Sequence, residues 1–513
     1  LWVSRGKKGV KKTAKDYFLA SKSLPWWAIG ASLIAANISA EQMIGMSGSG
    51  MAIGLAIATY EWMAALTLII VGKFFLPVFI EKGLYTIPEF IEKRFSTSLK
   101  TILAIFWIAL FIFVNLTSVL FLGGKALDTI LGNGDGSIIL PAIIALALFA
   151  AAYSIYGGLA AVAWTDVIQV AMLVLGGMIT TVIALDYVTP EGGILNGLSH
   201  VYGTAGEKFH MILKRDNPEF YNLPGIAVLI GGMWVANLYY WGFNQYIIQR
   251  TLAAKSLKES QRGIVFAGFL KLLIPLFVVI PGIVAFVMFA QEGGTTAMDG
   301  VHDAFIKADG SMNYDKAYPW LISSFIPSGL KGLVVAALAA AIVSSLASMV
   351  NSTATIFTMD IYKPYFAPGK GQNREVLVGR ITGAIALAIA VLVAPMLGNL
   401  EQAFQYIQEY TGLVSPGILA VFMLGLFWKK ANNRGAIVGI IASIPIALIL
   451  KIPSLELPWM DQMFYSCVLT MAVIALVSLS TNREIADPKG INLSSQMFKT
   501  DQAFNIGAYV LSL

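Results

Sequence analysis

The chain has 513 residues, of which 57% are hydrophobic and 12% are charged, and its mean hydropathy is +0.74. This composition excludes a water-soluble globular protein and indicates a chain that lies mostly within a membrane. The net charge of +6 does not indicate nucleic-acid binding, because lysine and arginine are concentrated in a few short loops and form no basic stripe.

Hydropathy predicts an all-α polytopic membrane protein with twelve full spans. In chain order we predict these spans at residues 25–48, 53–80, 99–130, 138–157, 159–187, 224–250, 263–290, 332–360, 379–398, 402–428, 434–451 and 461–480. The chain opens without a methionine and stops within an apolar run, so we also expect a truncated span at each end.

Lysine and arginine mark one side of the membrane. They lie before the first span, between the second and third, and after the sixth, eighth and tenth; the loop after the sixth carries Arg250, Lys255, Lys258 and Arg262. The positive-inside rule makes all of these loops cytoplasmic.

The spans group into two units of five. We divide the chain into a cytoplasmic basic segment (1–24), a first five-helix repeat (25–187), an extracellular loop (188–223), a second five-helix repeat (224–428) and C-terminal flanking helices (429–513). Because five is an odd number, the second unit crosses the membrane in the opposite sense to the first, as in the inverted repeats of many secondary transporters.

The first span of each unit has a polar middle, at residues 37–42 and at residues 237–242. Paired interruptions of this kind indicate broken helices around a site at the centre of the membrane. The alternative is that these polar side chains only form hydrogen bonds between helices.

The eighth span has a face of small residues. They recur at every fourth position, as Ala336, Ala340, Ser344, Ser348 and Ser352. Such a face lets another helix approach closely, and packing alone is one interpretation of it. The other is a cation site, because the hydroxyls of Ser344 and Ser345, with carbonyls freed near Ile38, would give about five neutral oxygens for a monovalent ion.

Ionisable side chains fall at membrane depth in several predicted spans, notably Glu61 in the second, Asp166 in the fifth and Lys271 in the seventh. Each costs about 2.5–3.5 kcal/mol at the centre of a membrane helix unless it is paired or hydrated. A structural ion pair between Glu61 and Lys271 is one explanation. The other is a polar binding site.

Amide and aromatic side chains support the binding site. The amides are Gln42, Asn237 and Gln408, and the aromatic candidates are Tyr60, Tyr240, Trp241 and Phe404. Convergent donors and acceptors suit a ligand with several hydroxyl groups, and an aromatic ring suits the apolar face of a hexose.

Histidine and cysteine give no sign of catalysis. Cys467 is the only cysteine, and His200, His210 and His302 all fall in polar loops. A metal centre built from these residue types within the membrane is therefore excluded, and no nucleophile is paired with a base. We predict no catalytic residues and no enzyme activity.

Long runs of residues resemble a known family. They are residues 35–42 (AANISAEQ), 60–62 (YEW), 236–245 (ANLYYWGFNQ), 329–337 (GLKGLVVAA) with the serines and Asp360-Ile361-Tyr362 that follow, and 403–410 (AFQYIQEY). These runs resemble the sodium/solute symporter family, most strongly its bacterial sodium/galactose cotransporters of the sodium-glucose type, and the resemblance covers essentially the whole chain.

The resemblance implies a LeuT-type five-plus-five inverted repeat with flanking helices, which alternates its access to a central sugar from the two sides of a bacterial inner membrane. It implies that galactose, or glucose, is hydrogen-bonded by Gln42, Glu61, Asn237, Lys271 and Gln408. It further implies that Tyr240 stacks on the sugar ring and closes the cytoplasmic side. The outer lid would be formed by Met46, Tyr60 and Phe404.

The resemblance also implies Na⁺ as the coupling ion. Its ligands would be the backbone carbonyls of Ala35, Ile38 and Ala341 and the hydroxyls of Ser344 and Ser345, and Asp166 would lie on the route of the ion into the cell. Proton coupling through Asp166 or Glu61, and sodium symport of another small solute, are the alternatives.

One position departs from the family pattern. Ala64 stands one turn after Glu61, where we expect a serine that contacts the sugar. We therefore expect sugar affinity or preference to differ from the pattern.

Overall fold

The computed structural model describes residues 13–132, 134–291, 304–307, 310–367, 372–397, 403–481 and 487–513. About half of the predicted basic segment 1–24, and His302, lie outside these residues. The α-helices up to residue 252 are α1 Ala14–Leu19, α2 Trp26–Asn37, α3 Ser47–Ala52, α4 Thr59–Ile70, α5 Leu76–Glu81, α6 Ile87–Arg94, α7 Thr97–Leu110, α8 Thr117–Leu131, α9 Ile139–Gly157, α10 Leu159–Tyr187, α11 Ile194–Thr204, α12 Ile226–Ile230, α13 Gly232–Phe243 and α14 Gln245–Leu252.

The remaining α-helices are α15 Leu257–Ala290, α16 Ala317–Phe325, α17 Ser328–Ile356, α18 Lys363–Phe366, α19 Gln372–Val393, α20 Ala403–Phe427, α21 Asn433–Leu450, α22 Trp459–Thr481 and α23 Gln502–Ser512. Segments of π-helix occur at Glu41–Met46, Val71–Phe75, Phe111–Leu116 and Phe357–Tyr362. Short 3-10 segments occur at Ala20–Lys22, Leu55–Ala58, Gly206–Phe209, Pro218–Tyr221, Tyr314–Lys316, Ala394–Leu397 and Pro453–Leu455. The predicted all-α class is confirmed.

In the part of the chain that the structure describes, each of the predicted spans is mostly helical. Within the described residues, nine helices are long and apolar enough to cross a membrane, and the bent pair Pro218–Ile230 and Gly232–Phe243 makes a tenth if it counts as one span. The first predicted span does not qualify as one long helix because it is divided into α2, the π-helix Glu41–Met46 and α3. The count of twelve remains a prediction.

The first span breaks where the sequence predicts it. Helix α2 ends at Asn37, and Ile38 is extended, with φ −79° and ψ 105°. Ser39 and Gln42 then start the second half, because the Ser39 N–H donates to Gln42 Oε1 at 3.1 Å and the Glu41 N–H donates to Ser39 Oγ at 3.0 Å. This reciprocal arrangement resembles a capping box, and it keeps the Ser39 N–H from continuing the ladder of α2.

The predicted interruption at residues 237–242 is wrong. These residues lie within α13, where the Asn237 side-chain amide donates to the Met233 carbonyl one turn earlier at 3.2 Å. The breaks fall on either side, at Gly231 and at Asn244, whose φ of −82° and ψ of 120° are extended. The polar side chains of α13 therefore face neighbouring elements without disrupting their own helix.

The long helices α15 and α17 organise the core. Helix α17 packs against α2, α9 and α10, and α15 packs against α2, α3, α4 and α10. Small residues permit close approaches between these helices: a Cβ added at Gly176 of α10 would lie 2.7 Å from Cβ of Ala337 on α17. The interrupted first span is thus enclosed between α15 and α17.

Candidate functional site

A central cavity lies between the interrupted first span, α4, α13, α15, α20 and α22. Its free volume, counted as the space open to the centre of a water molecule, is about 60 Å³. All of the residues predicted to contact sugar line it: Gln42, Glu61, Asn237, Tyr240, Lys271 and Gln408. The three predicted lid residues, Met46, Tyr60 and Phe404, line the same cavity. The structure thus brings together residues that are more than 350 positions apart in the chain.

Lys271 is the centre of the polar network in the cavity. Its ammonium donates to a carboxylate oxygen of Glu61 and to the side-chain oxygen of Asn37. It also lies 5.0 Å from the ring centroid of Trp241, a cation–π distance. Lys271 and Glu61 are both buried, so their charges neutralise one another in the absence of bulk water.

The amides supply complementary groups. Gln42 Oε1 accepts from the Ser39 backbone and hydroxyl, and the Asn237 amide nitrogen donates to the Met233 carbonyl. Among the residues that the structure describes, the Gln42 amide nitrogen and the Asn237 amide oxygen have no hydrogen-bond partner. The cavity wall therefore offers both a donor and an acceptor beside the charged pair.

Aromatic side chains close one end of the cavity. The rings of Tyr60 and Phe404 meet edge to face with their centroids 5.1 Å apart. Gly45 lets Phe404 lie close to the first span, because a Cβ at that position would lie 2.9 Å from Cβ of Phe404. Met46 is fully buried beside them.

A hydrogen-bonded pair of tyrosines lies at another part of the wall. The Tyr240 hydroxyl accepts from the Asn37 amide at 3.0 Å and from the Tyr246 hydroxyl at 2.7 Å. Tyr246 belongs to α14, beyond the break at Asn244. Tyr240 thus joins the interrupted first span to the interrupted sixth.

One predicted sodium ligand, Ser345 on α17, lies against the end of α2. Ser345 Oγ lies 3.5 Å from the Ala35 carbonyl oxygen and donates to the Ala36 carbonyl at 3.0 Å. The Ala35 carbonyl lacks its usual helical donor, because the Ser39 N–H is directed to Gln42. Ala341 is one turn before Ser345 and is buried, as is Ile38. A serine hydroxyl, together with a carbonyl that accepts no helical backbone hydrogen bond, provides oxygen ligands that suit Na⁺.

Asp166 lies beside this group and is paired with an arginine. Its two carboxylate oxygens accept from the hydroxyls of Ser344 and Ser32, each at 2.5 Å. The Arg250 guanidinium lies 3.3 Å from the oxygen shared with Ser32. Asp166 and Arg250 are both completely buried. The structure thus directs Ser344 towards Asp166 and Ser345 towards α2.

Two comparisons of sequence decide the family. The family model described as sodium:solute symporter family matches residues 17–443. The sodium/glucose cotransporter of Vibrio parahaemolyticus is 64% identical over 509 residues, which are 99% of this chain and 92% of that protein. The chain belongs to the sodium:solute symporter family.

Other relatives agree with this assignment. Sodium/glucose cotransporter 4 of Danio rerio is 33% identical over 466 residues, covering 88% of this chain and 68% of that protein. A solved Na⁺-coupled sialic acid symporter in a substrate-bound, outward-open state superposes with a TM-score of 0.78 at 24% identity, covering 96% of this chain and 95% of the other. The structural match confirms the predicted LeuT-type fold, and family membership confirms a multi-pass, sodium-coupled transporter rather than an enzyme.

Several residues of the site were missed from sequence. Asn37 bridges Lys271 and Tyr240, and Glu41 lines the cavity with Oε1 unpaired among the described residues. Arg250 was predicted to lie in a cytoplasmic loop and is instead fully buried. For Asn37 and Glu41 the position within the interrupted span was the available signal; for Arg250 there was none, because it ends an apolar segment as loop residues do.

Proposed function

We propose that this protein imports a hexose, galactose or glucose, by coupling its movement to that of Na⁺. The observation that carries the proposal is the cavity itself, in which a carboxylate, an ammonium, carboxamides and aromatic rings converge. The name of the 64% identical Vibrio relative, a sodium/glucose cotransporter, supports the same class of substrate.

The predicted site residues of the cavity have three proposed roles. Gln42, Glu61, Asn237, Lys271 and Gln408 form hydrogen bonds with the sugar hydroxyls. Tyr240 stacks on the ring and closes the cytoplasmic side. Met46, Tyr60 and Phe404 cover the sugar on the outer side, and the contact between Tyr60 and Phe404 supports this role. A sugar hydroxyl that enters the network both accepts from Lys271 and donates to Glu61, so it replaces part of their mutual interaction.

The sodium site is proposed at the crossing of α2 and α17. Carbonyls of Ala35, Ile38 and Ala341 and hydroxyls of Ser344 and Ser345 are its ligands. The proximity of Ser345 to the end of α2 supports this assignment. Sodium bound there joins the broken first span to α17.

Coupling follows from the position of the break. Residues 35–38 would hold sodium, and Gln42, within the next turn, lines the sugar cavity. Sodium that orders the break therefore also positions Gln42, and sugar must tighten sodium binding by the same factor. After the inner side opens, sodium leaves past Asp166 and the sugar follows.

We place the basic loops in the cytoplasm and the protein in a bacterial inner membrane. The membrane potential then drives sodium inward, with about 2.3 kcal/mol for each charge per 100 mV. Accumulation of sugar against its gradient is the expected result.

Substrate exchange in proteoliposomes tests the sugar class. Vesicles loaded with unlabelled galactose, in sodium on both sides, are expected to take up labelled galactose and to lose this uptake when glucose is added outside. An unrelated sodium-cotransported solute without hydroxyl groups, such as proline, should not compete. Competition by proline and not by glucose would overturn the hexose assignment.

A further inference from the structure

The buried arginine Arg250 is the strongest feature that sugar and sodium binding leave unexplained. It donates to the backbone carbonyl of Ser32 at 3.1 Å and to the Ser32 hydroxyl at 2.7 Å. It also donates to the hydroxyl of Ser348 and to the carbonyl of Tyr246. Its guanidinium therefore contacts α2, α10, α14 and α17, two helices from each five-helix unit.

The guanidinium lies on the exit route proposed above for sodium, because it is paired with Asp166. Ser344, a proposed sodium ligand, donates to one oxygen of Asp166, and Arg250 lies 3.3 Å from the other. A sodium ion on its way past Asp166 therefore meets a carboxylate that already has a cation. Two cations compete for one carboxylate, so each weakens the binding of the other.

The same arginine is connected to the inner sugar gate. Tyr246 lies one turn before Arg250 on α14; its carbonyl accepts from Arg250 and its hydroxyl donates to the Tyr240 hydroxyl at 2.7 Å. A shift of Arg250 away from Asp166 therefore acts on the residue that holds the hydroxyl of Tyr240.

We propose that Arg250 is a positioning residue that couples sodium release to opening of the inner sugar gate, because it competes with sodium for Asp166 and restrains Tyr240 through Tyr246. The inference rests on the proposed function. When sodium reaches Asp166, Arg250 is displaced, Tyr246 is released with it, and Tyr240 is free to move. When sodium leaves, Arg250 returns to Asp166, which prevents the carboxylate from retaining the ion.

Sodium binding without sugar tests the competition. We measure the sodium concentration that gives half-maximal thermal stabilisation of the purified protein, with choline as the substituting cation. Arg250→Gln removes the competing charge and should lower this concentration at least about fivefold. Arg94→Gln is the matched control, because Arg94 is also buried but donates to the carbonyls of Gly425 and Ala431, away from Asp166. It should leave sodium affinity unchanged.

Two transport measurements, net uptake and exchange, separate the release of sodium from the movement of sugar. In Arg250→Gln, net uptake driven by a sodium gradient should fall at least about fivefold, because sodium is retained. Exchange of galactose at equal sodium on both sides requires no net sodium release and should stay within about twofold of wild type. The double variant Asp166→Asn with Arg250→Gln has no charge at this position and should lose the gain in sodium affinity.

Arg250→Lys tests the link between Arg250 and the inner sugar gate. It also provides a test of the proposal if Arg250→Gln does not fold. Lysine keeps the positive charge, so sodium affinity should remain near wild type, but it lacks the planar fork that reaches Tyr246 and Ser348 together, so net uptake should fall. Unchanged sodium affinity in Arg250→Gln, or full net uptake in Arg250→Lys, would overturn the proposal. If wild-type protein shows neither sodium stabilisation nor sodium-dependent uptake, the proposed function itself fails.

Discussion

The ammonium of Lys271 and the carboxylate of Glu61 form an ion pair in the wall of the central cavity, with side-chain exposures of only 1% and 4%. Lys271 lies on α15 and Glu61 on α4, so the pair also joins two helices of the transport core. A buried pair of this kind is a weak source of stability, but loss of one partner leaves an uncompensated charge. Its position in the cavity wall supports the proposal that it binds sugar hydroxyls.

Replacement of either partner should therefore affect both stability and transport. Lys271→Met leaves Glu61 charged and alone, and we expect it to abolish galactose uptake and to lower the free energy of unfolding by about 3–5 kcal/mol. The double variant Glu61→Gln with Lys271→Met should recover most of the stability but no uptake. Thermal unfolding and uptake, measured on the same preparations, separate the two effects. Recovery of uptake in the double variant would show that the pair is only structural.

Ala64→Ser should raise the affinity for galactose. Ala64 is buried and lines the cavity one turn after Glu61, so a hydroxyl there can form one more hydrogen bond with the sugar. One such bond is worth about 0.5–1.5 kcal/mol, or about twofold to tenfold in affinity.

The neighbouring residue gives the control for this substitution. Ala65 is buried against Val265 and Phe504, in a separate cluster, so Ala65→Ser should not change galactose affinity. Equal effects of the two substitutions in a galactose binding assay would contradict the position that we assign to the sugar.

Ser345→Ala should weaken sodium binding. The Ser345 hydroxyl lies between the carbonyls of Ala35 and Ala36, and loss of an oxygen ligand to a cation should reduce apparent sodium affinity about tenfold or more. Thr353→Ala is the control, because the buried Thr353 hydroxyl contacts only the Met349 carbonyl of its own helix in the described structure. The sodium dependence of galactose uptake checks both. A proton-coupled carrier would show no such difference.

Acidic pH should destabilise the packing of helix α23. Asp501 caps this helix at the Phe504 N–H, 2.9 Å away, and forms a salt bridge with Arg262 at 2.6 Å. Burial acts to raise the pKa of Asp501, but the Phe504 N–H and the Arg262 guanidinium outweigh it and hold the pKa below its ordinary value. The carboxylate therefore contributes stability that is complete above the ordinary aspartate pKa of about 3.9 and is lost as the pH falls through the lower, folded-state pKa.

Asp501→Asn tests this contribution, because asparagine retains the cap but not the charge. The difference in melting temperature between wild type and Asp501→Asn should be present at pH 7, should begin to decline near the ordinary aspartate pKa of about 3.9, and should vanish only below the lower pKa of the folded state. A difference that does not change with pH would assign the stabilisation to the cap alone.

The sequence predicted which residues line this site better than it predicted which residues contact one another. The break at residues 37–39 was predictable, because Ser39 and Gln42 have the spacing of a capping box. The supposed break at residues 237–242 was not real, because Asn237 satisfies its amide within its own helix. A polar side chain in a span therefore indicates a site more reliably than it indicates a break.

The partners of buried charges could not be predicted from sequence. Asn37 and Lys271 are 234 positions apart, and Asp166 and Arg250 are brought together only when α10 and α14 pack with α2 and α17. Arg250 follows an apolar segment and is followed by further basic residues, which is also the pattern of a cytoplasmic loop. Only tertiary packing distinguishes a buried arginine from an arginine in a cytoplasmic loop.

The most direct test of the account is the accumulation of radiolabelled galactose in proteoliposomes at fixed pH, with and without an inward sodium gradient. Wild-type protein should accumulate galactose only with the gradient, and Gln42→Ala should abolish this accumulation. Gln261→Ala is the matched control, because Gln261 is buried but donates to the Gly72 carbonyl at 3.0 Å and lies outside the cavity wall; it should transport normally. Accumulation that depends on a proton gradient and not on sodium, or that persists in Gln42→Ala, would contradict the account.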